Sequence, residues 1–162
     1  MAKDWSEIAA GFAEQAGLHF DHMGHPRMGG RVFGWLLSCE PDQQSVAEIA
    51  EALQASRSAV NAVIKRMTQV GIVERVAVPG ERSIFYRIKP DAWVDMMRGN
   101  LPNMAAGRRL ADQGLALFAE RGPDQNQRLQ SFRDAHAFFE RELPLLLERL
   151  EREMILKRGA DD

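Results

Sequence analysis

Residues 45–88 run SVAEIAEALQASRSAVNAVIKRMTQVGIVERVAVPGERSIFYRI, and the order of the signals inside them sets the architecture. Ser45 with Glu48 three residues on forms a capping box, which satisfies backbone N–H groups left bare at a helix start. A short helix is therefore predicted over 45–53. Gln54-Ala55 turns the chain, and Ser56 caps a second helix that runs to about Val70. Gly71 stops it at the position that favours left-handed backbone. The pattern then changes from helical to alternating. Residues 72–78 read as a strand, Pro79-Gly80-Glu81-Arg82 as a turn and 83–88 as the returning strand. Helix, tight turn, helix, strand, turn, strand is the winged helix-turn-helix plan, whose second helix presents its N-terminal residues to the DNA major groove.

The side chains of this unit suit a polyanion. Residues 54–89 carry Arg57, Lys65, Arg66, Arg75, Arg82, Arg87 and Lys89 against Glu74 and Glu81, although the 162-residue chain has a formal charge of −2. Counterion release depends on local charge, so the acidic remainder does not forbid binding to DNA. Ser56 lies where backbone N–H groups face phosphate. Arg57 has the planar fork that matches guanine O6 and N7, and Asn61 one turn later reaches adenine or phosphate. Ser58 adds a shorter polar contact, while Lys65 and Arg66 extend the basic surface toward phosphate or solvent. Arg82 sits at the hairpin tip, placed for the backbone or the negative minor groove. Arg75 and Arg87, on facing strands, are expected to strengthen one field. Ser45 completes the expected DNA-contacting set. Val60, Val63, Ile64 and Met67 make the opposite, packing face of the helix.

Upstream, Trp5, Ile8, Phe12, Ala16, Phe20 and Met23 fall at helical spacing, and Gly24 and Pro26 end that helix. A second helix is predicted over about 27–39, burying Met28, Val32, Trp35 and Leu36 before Pro41. Gly29, Gly30 and Gly34 follow no strand, so they read as sites of close helix packing, not dinucleotide binding. Downstream, Trp93, Met97, Leu101, Met104, Ala111, Leu115 and Phe118 mark one helical face with a kink before Pro102, ending at Gly122-Pro123. Leu129, Phe132, His136, Phe139, Leu143, Leu146 and Leu150 then recur at alternating steps of three and four, a seam for side-by-side helix packing. Either a second copy of the chain or the helix around 93–118 could serve that seam. The dimer is the preferred reading. Pro144 departs from the ideal pattern and is placed to bend or split the helix.

The expected fold is thus mainly α with a small β-hairpin wing. A winged helix-turn-helix DNA-binding domain spans 26–90. It is flanked by an N-terminal dimerisation helix within 1–25 and a C-terminal helical dimerisation arm over 91–162.

Several classes are set aside. No run approaches the roughly eighteen apolar residues of a membrane span. The acidic first twenty residues resemble neither a signal nor a transit peptide. Cys39 is the single cysteine, so no intrachain disulfide forms. A cytoplasmic protein with no membrane partner is expected. There is no nucleophile elbow, phosphate loop or helical His-Glu-x-x-His, so no enzyme and no cofactor are expected. His19 and His22 are spaced to share a zinc ion, but His25 lies past Gly24 and no cysteine joins them; a solvated helix end is preferred. Phe12, Phe20, His22 and Trp35 could line an effector pocket or simply be core. His136 reads as a satisfied seam histidine before a pH-sensitive one. Cys39, after the apolar run FGWLLS and before Glu40, reads as inert.

The segment PRMGGRVFGWLL (26–37), followed by AEIAEALQASRSAVNAVIKRMTQVGIVERVAVPGERSIFYRI (47–88), resembles the GbsR-type branch of the MarR transcriptional regulators. The resemblance covers roughly residues 5–90, with the flanking helices alike in pattern only. It implies an obligate dimer with interlocked terminal helices on a palindromic site. It also implies recognition-helix contacts from Ser56, Arg57, Ser58 and Asn61, and a wing contact from Arg82. Members often sense a small organic ligand between the dimer helices and the DNA-binding lobe. The main rival reading is a winged-helix module that docks another protein; a ligand-dependent enzyme is a second.

Overall fold

The computed structural model describes residues 4–90, 92–120 and 122–158. The chain forms two compact units, Met1–Ala92 and Trp93–Asp162. Among the described residues no helix is long and apolar enough to cross a membrane.

The first unit opens with α1 (Trp5–His22), capped by Asp4, whose carboxylate accepts from the Ser6 and Glu7 N–H groups at 3.0 and 3.3 Å. It packs along α2 (Arg27–Ser38). The face that α1 buries differs from the one its large side chains predict. Ala9, Ala13 and Gly17 are buried, whereas Trp5, Ile8 and Phe12 are exposed. Small residues win because α2 also presents glycine there, letting the backbones approach. A Cβ on Gly30 would stand 2.3 Å from the Ala16 carbonyl oxygen, and one on Gly34 would stand 2.7 Å from the Ala16 Cβ. Gly29 lacks this role, its nearest neighbour being the Phe20 ring at 3.7 Å.

The helix-turn-helix follows as α3 (Val46–Ala52) and α4 (Arg57–Gln69). Both caps form as the sequence predicts. Glu48 N–H donates to Ser45 Oγ at 3.3 Å while Ser45 N–H donates to Glu48 Oε2 at 2.7 Å, and Ala59 N–H donates to Ser56 Oγ at 3.2 Å. Gln54 takes a positive φ of 48° in the turn, and Gly71 one of 79° past the end of α4. Val32, Trp35 and Leu36 of α2 join Ile49, Leu53, Val60, Ile64, Met67 and Val73 in one core.

The hairpin is shorter than predicted, with β2 at Val73–Val76 and β3 at Phe85–Ile88. Gly80, at φ 87°, bends the loop after Pro79, which has no N–H to give a ladder. A strand that sequence reading missed, β1 (Gln44–Ser45), pairs antiparallel with β3, giving the order β1-β3-β2. Two residues are too few for an alternating pattern; pairing with Phe85 and Tyr86 alone defines this strand.

After α5 (Ala92–Arg98), the second unit is an antiparallel pair, α6 (Leu101–Leu117) and α7 (Pro123–Arg158). The chain breaks at Gly99-Asn100 instead of kinking, and Pro102 falls in the first turn of α6, where its missing N–H costs nothing. α7 continues through Pro144. The heptad seam divides. Leu129 lies on Gly114 and His136 on Gly107, so these positions are served within the chain. Phe132, Phe139, Leu146 and Leu150 remain exposed. A 17-residue α6 cannot cover a 36-residue α7. Ion pairs staple the two: Arg108 Nε donates to Glu140 at 2.5 Å and Arg133 Nε to Asp112 at 2.7 Å.

Candidate nucleic-acid interface

α4 divides into two faces. Val60, Ile64 and Met67 are buried, while Arg57, Ser58, Asn61, Lys65 and Arg66 are exposed. Arg57, Asn61 and Lys65 recur every fourth residue, so they share one edge of the helix. No acidic residue interrupts α4. Ser56 is exposed and doubly engaged: it caps Ala59 and shares a 3.2 Å hydrogen bond with Ser58 Oγ.

Charge pairing sorts the arginines of the first unit. Arg27 and Arg31 bind Glu14, and Arg87 binds Glu74 at 2.7 Å and Asp42 at 3.8 Å. Among the described residues no salt bridge occupies Arg57, Lys65, Arg66, Arg75 or Arg82. Within the first unit the free cations therefore gather on α4 and the hairpin, with Arg87 of β3 the tied exception there.

Three expectations change. Ser45 is 8% exposed, with its hydroxyl and N–H both turned to Glu48, so it has no surface to offer a partner. Arg87 is held by two carboxylates, and the hydrogen bond it donates to Glu74 raises its pKa further. Arg75 and Arg87 do not act on one face. The register pairs Glu74 with Arg87 and Arg75 with Tyr86, so alternation sends the two arginines to opposite sides of the hairpin. Arg82 and Glu81 both stand exposed in the 77–84 loop.

Of the four residues expected to line a pocket, two do so. Phe12 and Trp35 border an open cleft of about 870 Å³ with Trp5, Ile8, Cys39, Glu40, Glu48 and Glu51 among its other walls. Phe20 instead stacks on Phe33 at 5.4 Å and His25 at 6.1 Å, and His22 lies outside the cleft on the exposed end of α1. Burial pushes the Cys39 thiol up to about 11, with Asp42 and Glu48 adding to the rise despite an opposing backbone hydrogen bond. The thiol is thus protonated near neutrality and unreactive. His136 Nδ1 donates to the Phe132 carbonyl at 2.9 Å, a bond within its own helix.

The chain has relatives of known class. The HTH-type transcriptional regulator MmpR5 of Mycobacterium tuberculosis (strain ATCC 25618 / H37Rv) is 35% identical over 151 residues, covering 93% of this chain and 89% of the relative. The chain belongs to the MarR family of transcriptional regulators. Residues 30–82 match the MarR family model, and residues 91–153 match the model for MmpR5-like MarR family transcriptional regulators. A crystal structure described as a transcriptional regulator is 34% identical, covers 90% of this chain and 99% of its own, and superposes with a TM-score of 0.78. These matches name MmpR5-like MarR regulators and do not confirm the GbsR-type branch. A MarR-family regulator binds DNA through its winged helix-turn-helix and is not an enzyme, so α4 and the 77–84 loop are the elements to examine for contact.

Proposed function

We propose that two copies of this chain bind a palindromic operator in the cytoplasm, each presenting α4 to a major groove and the 77–84 loop to the flanking backbone. The observation that carries this reading is the row of unpaired cations on α4 and the hairpin, within a unit whose other arginines are tied to carboxylates. Arg57 and Asn61 read bases, Ser56 and Ser58 fix the helix start, and Lys65, Arg66, Arg75 and Arg82 meet phosphate. The 26–90 region is the DNA-binding domain. The second unit, with α1, supplies the dimer contact that sets the two α4 helices about one turn of DNA, ~34 Å, apart. Exposed Phe132, Phe139, Leu146 and Leu150 on α7 support that assignment, because a lone chain would leave this apolar row in water. The MmpR5-like matches favour that subgroup over a GbsR-like one.

Binding-site selection from random duplexes, followed by titration at several salt concentrations, tests the reading. Affinity should fall steeply with salt, unlike docking of an apolar protein surface. Arg57→Ala should cost ~1–3 kcal/mol on the selected site and relax preference at one base pair. Lys65→Ala should weaken all duplexes alike. An Arg57→Ala variant with unchanged affinity and preference means that α4 sits on DNA in another register.

A small effector is a second reading, favoured by the chemistry of the cleft. Trp5, Phe12 and Trp35 supply aromatic walls, Glu40, Glu48 and Glu51 supply carboxylates, and among the described residues no basic one lines it. Such a site selects an apolar body carrying positive charge. Benzyltrimethylammonium should change tryptophan fluorescence where benzoate does not; equal responses, or none, remove the assignment.

A further inference from the structure

From α2, the Arg31 side chain reaches two other elements of the first unit, α1 and the end of α3. Its Nε donates to Glu14 Oε1 of α1 at 2.6 Å, and its Nη2 donates to the Leu53 carbonyl at 2.6 Å. The side chain is 18% exposed, and a second arginine, Arg27, holds the other oxygen of Glu14 at 3.0 Å. Gly17 makes the passage possible, since a Cβ there would stand 2.7 Å from Arg31 Cγ.

The Leu53 carbonyl occupies a decisive place. Leu53 is the C-cap of α3, where carbonyls lack helical partners, and a cation there satisfies both the hydrogen bond and the helix dipole. Three residues later Ser56 caps α4, and Arg57 follows. The intervening turn is tight: Ala55 N–H returns to the Ala50 carbonyl at 2.9 Å, and Gln54 holds a positive φ. A shift of the Leu53 carbonyl therefore carries straight into the start of the recognition helix.

We propose that Arg31 is a positioning residue for DNA recognition, a strut that transmits the placement of α1 through Glu14 to the Leu53–Ser56 turn and so aims Arg57 and Asn61. It touches no DNA. Any event that moves α1 along α2 then alters base reading without altering the phosphate-contacting charges. Lysine cannot replace the strut, because one ammonium cannot meet two acceptors set in the planar geometry of a guanidinium. The inference rests on the DNA-binding reading above, but one arm of its test does not.

In the free protein, hydrogen exchange of the hydrogen-bonded Ala55, Ala59 and Val60 amides should be about tenfold faster in Arg31→Lys than in wild type, as losing one charge-assisted bond implies. Glu14→Gln, which keeps an acceptor but removes the charge, should show a smaller change in the same direction. On the duplex selected by the wild-type protein, Arg31→Lys should lose about tenfold in affinity. Its binding to an unrelated duplex and its salt slope should stay as in wild type. Three results overturn the proposal. Exchange at Ala55, Ala59 and Val60 could be unchanged in the folded variant. The variant could bind the selected duplex within about twofold of wild type while only its melting temperature drops, the mark of a purely structural residue. Both duplexes could weaken together with a shallower salt slope, the mark of a phosphate contact. Failure of the wild-type protein to select any duplex counts against the DNA-binding reading, and the exchange arm still judges the strut.

Discussion

Gly30→Ala probes the closeness of α1 and α2 with a single methyl group. That methyl would stand 2.3 Å from the Ala16 carbonyl oxygen and 2.8 Å from both the Ala16 carbonyl carbon and Gly17 Cα. All three atoms are α1 backbone, so no rotamer change relieves the clash and the helices must part. Restoring ordinary contact takes roughly 1 Å, and a gap of that size forfeits about a quarter to a half of the dispersion well for the atoms facing it. Overpacking costs about 1–3 kcal/mol, and an unyielding backbone neighbour places this case near 3 kcal/mol. Alanine's better helix propensity returns about 1 kcal/mol. The net loss is then about 2 kcal/mol. Gly11→Ala is the matched control, because its added methyl meets nothing within 4 Å on the exposed side of α1. It should gain roughly 0.5–1 kcal/mol. Urea unfolding at one fixed protein concentration measures both, read from midpoints with unchanged slope. Equal stability of the two variants would refute interleaved backbone packing between these helices.

Cys39 should resist Ellman's reagent at neutral pH until the protein unfolds, since its thiol is buried and its pKa pushed up to about 11; labelling within minutes in the native state contradicts this. Acid should destabilise the protein through Glu14, Asp112 and Glu140. Arg133 bonding holds Asp112 below its ordinary 3.8, Arg108 bonding holds Glu140 below 4.5, and at Glu14 burial pushes up from 4.5 but the bonds from Arg31 and Arg27 prevail. The unfolded chain therefore takes up protons first. Stability from these groups is complete above about 4.5 and lost as pH falls through their depressed folded values, so the melting temperature should drop across that window and less so in Glu140→Gln. Phe139→Glu combined with Leu146→Glu, both exposed in a single chain, should halve the mass measured by light scattering if α7 joins two copies; an unchanged mass removes α7 from the interface.

The helix-turn-helix was legible because its signals are local. A capping box at Ser45, an N-cap at Ser56 and a glycine at 71 act over three or four residues, and each formed where its spacing placed it. The basic edge of α4 was legible for the same reason, since helical periodicity alone puts Arg57, Asn61 and Lys65 together. Charge partners across the fold were not. Arg87 and Arg82 look alike in sequence, yet Glu74 and Asp42 neutralise one and leave the other free.

By itself, then, the sequence determined the class of domain, the bounds of its helices to within a residue or two, and the side chains that α4 turns outward, because these depend on backbone hydrogen bonding and periodicity along the chain. Tertiary structure alone decided that α1 buries Ala9, Ala13 and Gly17 instead of its aromatic residues, that Ser45 is enclosed, that the α7 seam divides, and that Arg31 ties α1 to the turn before α4. Each of those outcomes depends on how near two distant segments can come, and that distance is set by the shape of both partners at once.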